Sequence, residues 1–333
     1  MVADQSTPRG DRDILTAGDN RILRGAVDMH VHGYPDADPQ WRARLDDREL
    51  CRIARDCGMR GLVLKSHFWP TMDRARILTE QLADPDFTVF SSITLNPLVG
   101  GLQPSTVEAA ARHGARVVYL PTWGSVNDSR HPGLVRREIV DPLYPRLRAD
   151  LEHSAVSVLD GNAVLRPEAR EILVIAAELG LVVSTGHLAV AESLALARES
   201  ASIGFDRLVF GHPFSPSIEA DLDVIKEMAD LGATIEMTAI HTLLPRSPVD
   251  LVRIHEAVVA VGAENVVLSS DVYLDWMPPH VEMLRLFCGQ LRQFGLGDDA
   301  LRTMLVDKPR ALLGVPPPQL AGPKDRPYPE ELA

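Results

Sequence analysis

Seven side chains able to bind a metal or move a proton stand at the ends of short apolar runs. They are His30 and His32 in "GAVDMHVHGYP", Lys65 and His67 in "RGLVLKSH", His187 in "GLVVSTGH", His212 in "DRLVFGHP" and Asp271 in "ENVVLSSD". Residues two apart in a strand share a face. Asp28, His30 and His32 are therefore expected on one face, and Val27, Met29 and Val31 on the other, apolar one. Four imidazoles (His30, His32, His187 and His212) and the Asp271 carboxylate make a ligand set for a divalent ion, Zn²⁺ first among the candidates. Such an ion acidifies water into a nucleophile near neutral pH. Asp271 is also the candidate catalytic residue, able to take that proton and hand it to a leaving group. An HxH pair alone is a weak signal. The weight comes from five parts, each at the end of an apolar run.

Lys65 is counted with the metal ligands. A lysine in a dry pocket has a depressed pKa and can react with carbon dioxide, giving a carbamate that bridges two ions. The other roles open to it are a cation for an anionic part of the substrate and a structural ion pair. His67 lies two residues further on the same face and is read as a substrate contact. Glu236 in "GATIEMT" is grouped with it, or serves as an acceptor orienting a ligand histidine. Its ordinary alternative is a salt-bridged carboxylate. His241 and Trp69 join the substrate-binding group because they lie on loops after the seventh and second runs, where barrels carry specificity. Ordinary loop packing is the competing explanation for each. Asp28 is expected to orient a histidine or close the barrel floor.

The elements that must position these residues follow from the pattern. Eight runs read as buried strands: 25–32, 60–67, 87–95, 115–121, 180–187, 206–213, 232–238 and 264–271. Most are continuous Val/Leu/Ile stretches, as parallel strands covered on both faces should be. Helical spacing ending in Gly recurs at 46–58, 166–180, 190–204, 218–232, 248–262 and 279–295. The alternation predicts an α/β fold, a (β/α)₈ TIM-type barrel, whose strand C-termini open on one face. A doubly wound sheet is the alternative, but no Gly-rich phosphate loop follows any strand. The connection 122–166, after the fourth strand, is long. Its "AVSVLDGNAVL" predicts a short β-hairpin around Asp160 and Gly161. The chain then divides into an N-terminal segment 1–24, a barrel 25–315 and a Pro-rich tail 316–333.

Composition bounds the function. The 333 residues carry a net charge of -12, with 24% charged and 45% hydrophobic residues. That is an ordinary globular composition, and the charge argues against nucleic acid as a partner. No apolar run reaches the roughly 20 residues that span a bilayer, so no membrane partner is expected. The polar start "MVADQSTPRGDRD" lacks a signal-peptide core. Cys51, Cys57 and Cys288 show no disulfide or metal spacing. A cytoplasmic protein acting on a small molecule is expected, with a homo-oligomer left open.

The set "DMHVH", "STGH", "FGHP" and "SSD" resembles the amidohydrolase superfamily of metal-dependent hydrolases, over about residues 25–315. The resemblance implies that His30, His32 and Asp271 take one metal and that His187 and His212 take a second. An acidic or carbamylated bridge would join the two. Where many members place that lysine, on the fourth strand, this chain has "VVYLPTW"; Lys65 is the nearest candidate. One or two ions per chain are therefore expected. The activity implied is attack on an amide, cyclic amide or lactone-type bond by a metal-activated hydroxide. The alternative is a one-metal lyase of the aminocarboxymuconate-semialdehyde decarboxylase type. Phosphoester hydrolysis would want more cations at the pocket mouth. A non-catalytic binding protein would have no need of the full ligand set.

Overall fold

The eight apolar runs pair in parallel, each of the first seven with the one that follows, so that their buried amides find partners. The strands are β1 (Val27–His32), β2 (Gly61–Lys65), β3 (Thr88–Thr94), β4 (Ala115–Tyr119), β5 (Val182–Ser184), β6 (Leu208–Phe210), β7 (Thr234–Thr238) and β8 (Val266–Ser269). They form one sheet in chain order. The computed structural model describes residues 20–34, 36, 45–133, 135–244, 248–272, 274 and 276–315. The tail 316–333 lies outside the described residues, as does the start of the N-terminal segment.

The sheet closes between β8 and β1 through a few specific bonds. Asp271 donates its backbone N–H to the His30 carbonyl at 2.8 Å. The Asp28 carboxylate accepts from the backbone of Ser270 at 3.0 Å and of His30 at 3.2 Å. Asp28 thus closes the seam of the (β/α)₈ barrel.

The helices are α1 (Asp47–Asp56), α2 (Met72–Leu82), α3 (Pro104–Arg112), α4 (Val126–Arg130), α5 (Asp141–Leu143), α6 (Pro145–His153), α7 (Pro167–Leu179), α8 (Val190–Ile203), α9 (Leu222–Asp230), α10 (Leu251–Val261), α11 (His280–Gln293), α12 (Asp298–Arg302) and α13 (Lys308–Leu313). All six helical patterns are helices. The first is started by a capping box, in which Asp46 accepts from Glu49 N and Glu49 from Asp46 N.

Val27, Val63, Val117, Val182, Val209 and Val267 form an axial cluster, closed at one end by Leu312 and Leu313 of α13. Here simple alternation fails. Val27 and Met29 both join the axial cluster, whereas Val31 packs in the outer core. The cause is a bulge: from Asp28 to Val31, β1 uses one more residue than β2 uses from Leu62 to Leu64. The extra residue lets β1 place apolar side chains on the axis low down and still turn His30 and His32 inward above them.

The hairpin in the long connection exists in its shortest form, a single antiparallel bridge Leu159↔Leu165. The Asp160 carboxylate takes the backbone N–H groups of Asn162 and Val164 at 2.8 and 2.9 Å, which fixes the loop. Glu192 takes the N–H of Val158 at 3.0 Å, so the ladder runs no further. The earlier part of the connection is helical, α4 to α6 with a wide turn at Arg136–Val140.

Candidate metal centre

On β2 the inward face is apolar low in the barrel and polar at its C-terminal end, Lys65 following Val63 of the axial cluster. On β7 the buried polar residues Thr234, Glu236 and Thr238 alternate with the buried apolar Ile235 and Met237. Above β5 and β6 the chain must turn sharply to present His187 and His212. Gly186 takes φ +60°, and a Cβ there would stand 2.3 Å from the Leu120 carbonyl oxygen. His212 and Asp271 themselves sit at positive φ, 28° and 54°. Non-glycine residues held in that region cost of order 1–3 kcal/mol each and cluster at functional sites.

Three of the histidines share one hydrogen-bonding plan. The Nδ1 of His30 lies 3.3 Å from a Glu236 oxygen, that of His32 2.7 Å from Asp36, and that of His187 2.9 Å from Asp128. A ring that donates Nδ1–H to a carboxylate offers a lone pair at Nε2. The Nε2 atoms of His30 and His32 converge on one Asp271 oxygen, at 3.0 and 3.3 Å. Those three side chains place one potential ligand atom each within 4.8 Å of one another. His212 meets this cluster, with ring centroids 5.1 Å from His187 and 5.9 Å from His30. Its Nδ1 is buried without a hydrogen-bond partner, which a ligand atom would be. The donor set therefore fits a divalent ion, with His30, His32 and Asp271 at one position and His187 and His212 beside it.

Lys65 Nζ reaches into the same space, 2.7 Å from His30 Nε2 and 4.6 Å from the centre of the Tyr119 ring. Burial lowers its pKa, against the pull of the Asp271, Glu236 and Asp36 carboxylates. Burial also lowers His187, His212 and His67, the last two strongly, so these rings are neutral at physiological pH. It takes His241 to about 4. Asp271 goes the other way. Burial opposes its charge, yet the surrounding His30, His32 and Lys65 hold the carboxyl well below the usual range.

A small cavity of about 60 Å³ opens on this cluster, lined by Lys65, His67, His187, His212, His241 and Asp271. The residues expected as ligands thus come together, and His67 and His241 face the same space. Glu236 reaches His30 rather than the cavity wall. Trp69 is not brought in: its side chain is 59% exposed, its backbone N–H turned to Ser66 Oγ in the β2 loop. Trp123 takes the aromatic place instead, stacked on His67 with centroids 3.6 Å apart.

Sequence reasoning passed over Asp36, Asp128 and Arg136. Asp128 comes from α4 of the insertion and also accepts from Arg136 at 2.9 Å, in a fully buried pair. Arg136 lines the cavity too and donates to the Trp123 carbonyl at 2.7 Å. No periodic signal marks these three residues, because each acts from a loop or a short helix.

A family model described as "Family of unknown function (DUF6282)" matches residues 25–236. No curated protein matches the sequence. Among solved structures, an amidohydrolase from Pseudomonas aeruginosa is similar at 12% identity and a TM-score of 0.61, over 89% of this chain and 97% of that one. The probable dipeptidase PvdM from the same organism is similar at 14% identity and a TM-score of 0.57, over 87% and 94%. A triple mutant of organophosphorus hydrolase from Deinococcus radiodurans is similar at 17% identity and a TM-score of 0.53, over 87% and 93%. At these identities the likeness is one of fold.

Proposed function

The chain belongs to the DUF6282 family, and we propose that it is a metal-dependent hydrolase cleaving an amide, cyclic amide or lactone-type bond of a small molecule. One observation carries this reading. Three carboxylates, the buried Glu236 and Asp128 and the partly buried Asp36, each stand at Nδ1 of a different histidine, which leaves Nε2 of each ring for a ligand, two of them facing Asp271. Metal-ligating histidines almost always have such a partner on the other ring nitrogen, which fixes the tautomer and the ring's orientation.

His30, His32 and Asp271 would hold one divalent ion, and His187 and His212 would hold a second where two are bound. When bound, such ions supply Lewis acidity and make water nucleophilic near neutral pH. Asp271, kept ionised by its neighbours, accepts the proton of the attacking water and returns it to the leaving group. Likeness of fold to structures named amidohydrolase and dipeptidase supports the same class of reaction.

Lys65 decides the metal count. A charged ammonium beside two divalent ions would be repelled by several kcal/mol, on the order expected for charges ~4 Å apart at moderate dielectric. Carbamylation would replace that cation with an anion able to bridge both ions. The second reading, a one-metal decarboxylase-type lyase, is favoured if Lys65 stays a lysine, since its Nζ already stands 2.7 Å from His30 Nε2.

Elemental analysis of protein never exposed to chelator, joined to a screen of amides, lactones and carboxylated substrates, separates the two. The hydrolase should carry two equivalents that fall on Lys65→Ala and rise with bicarbonate, and should open amides or lactones. One equivalent with release of carbon dioxide would establish the lyase. No bound metal would overturn both.

A further inference from the structure

His67 is held differently from the histidines that face carboxylates. Its Nδ1 lies 2.9 Å from the hydroxyl of Thr122. Which of the two carries the proton is settled one residue further out. The Asn96 side-chain oxygen takes the backbone N–H groups of Thr122 and Gly124, at 2.9 and 3.0 Å. Backbone N–H groups only donate, so the Asn96 amide has one allowed orientation. Its Nδ2 then donates to the His67 carbonyl and to Thr122 Oγ1, both at 2.8 Å.

The Thr122 hydroxyl therefore receives one hydrogen bond and still has its own proton to give. Among the described residues its other partner is His67 Nδ1. The hydroxyl donates, Nδ1 accepts, and the proton of the neutral ring stands on Nε2. The ring is fixed between Trp123, 3.6 Å and 13° away, and His32, 4.8 Å and 23° away. It lines the cavity.

We propose that His67 is a hydrogen-bond donor of the pocket and not a metal ligand. Asn96 and Thr122 are positioning residues that lock it as the Nε2–H tautomer. The N–H takes an acceptor oxygen of the substrate, a carbonyl or carboxylate oxygen. His32, Asp36 and His67 place potential ligand atoms within 4.8 Å of one another and so resemble a further metal set. The tautomer removes His67 from it, because Nε2–H has no lone pair to give and the lone pair of Nδ1 takes the Thr122 proton. The catalytic consequence rests on the hydrolytic reading above: a donor fixed in place before the substrate arrives stabilises charge growing on a carbonyl oxygen.

Two measurements test this without turnover. In zinc-loaded protein with ¹⁵N-labelled histidine, the ring of His67 should show a protonated Nε2 and an unprotonated Nδ1. Asn96→Asp should invert it, since a carboxylate would take the Thr122 proton and leave the hydroxyl to accept from Nδ1. Acetate serves as a carboxylate probe. His67→Phe should weaken its binding about tenfold, as loss of one hydrogen bond does, and His67→Gln, which keeps a donor, by no more than about threefold. A native ring protonated at Nδ1 would overturn the proposal, and so would acetate binding unchanged in His67→Phe. Failure to turn over any amide or lactone, with both signatures present, would overturn the hydrolytic reading and leave the donor assignment standing.

Discussion

At the scale of the residue, Asp271 has two duties that the histidines lack. It shares one oxygen between His30 and His32, and it lines the cavity as a carboxylate that, unlike Asp128, is not tied to a buried arginine. Replacing it should therefore harm chemistry more than metal retention. In Asp271→Ala, activity is expected to fall about 10³-fold, in the range for a lost general base. The ion at the His187 and His212 pair should remain. Turnover beside elemental analysis of the same sample checks this; near-normal turnover would show that the proton travels by another group.

At the scale of the element, the turns after the strands and the barrel seam are the places where sequence changes should tell. Gly186→Ala would put a methyl group 2.3 Å from the Leu120 carbonyl oxygen in a left-handed backbone. It should cost about 2 kcal/mol or more, read as a lower urea midpoint, and weaken metal uptake at His187. The seam carries a pH signal. Burial raises the Asp28 carboxyl to about 7, against its hydrogen bonds from Ser270 and His30. An acid whose pKa is higher in the folded state binds its proton more tightly there, so its contribution to stability falls as pH rises from about 4 to about 7. Asp28→Asn keeps the accepting oxygen and loses the charge. Its stability relative to the parent should rise across that window and level off above it. Urea unfolding of the metal-free protein at pH 5 and pH 8 measures the difference; an advantage that shrinks with rising pH would refute the assignment.

At the scale of the whole molecule, the centre joins β1 and β8, neighbours at the seam, to the turns after β5 and β6 across the barrel mouth, so metal and fold are linked. Chelation should abolish activity and lower the thermal midpoint, and Zn²⁺, Mn²⁺ or Co²⁺ should restore both, since these nitrogen and oxygen donors accept several ions. An ion present at 1,000 times its dissociation constant stabilises a fold by about 4 kcal/mol. Full turnover after exhaustive metal removal would end the metal reading. Among the described residues no helix is long and apolar enough to cross a membrane. Cys51, Cys57 and Cys288 are buried free thiols, with Cys288 pushed up to about 12 by burial.

The eight strands, the six patterned helices and the ligand candidates His30, His32, His187, His212 and Asp271 were legible in the sequence. Parallel strands buried on both faces are apolar runs, and a polar residue ending such a run stands out against them. The tertiary structure alone decided three things. It inserted a bulge in β1, which no residue type announces and which set Met29 and His30 both inward. It brought Asp36 from a loop and Asp128 from the short helix α4 to the back of His32 and His187, where only their distance from a ring nitrogen reveals their purpose. It also left Trp69 outside and laid Trp123 against His67, because the direction of a side chain on a loop is set by the turn's backbone hydrogen bonds and not by periodicity. Periodicity encodes the face of an element; which faces meet, and which ring nitrogen is left free, depends on contacts between residues far apart in the chain.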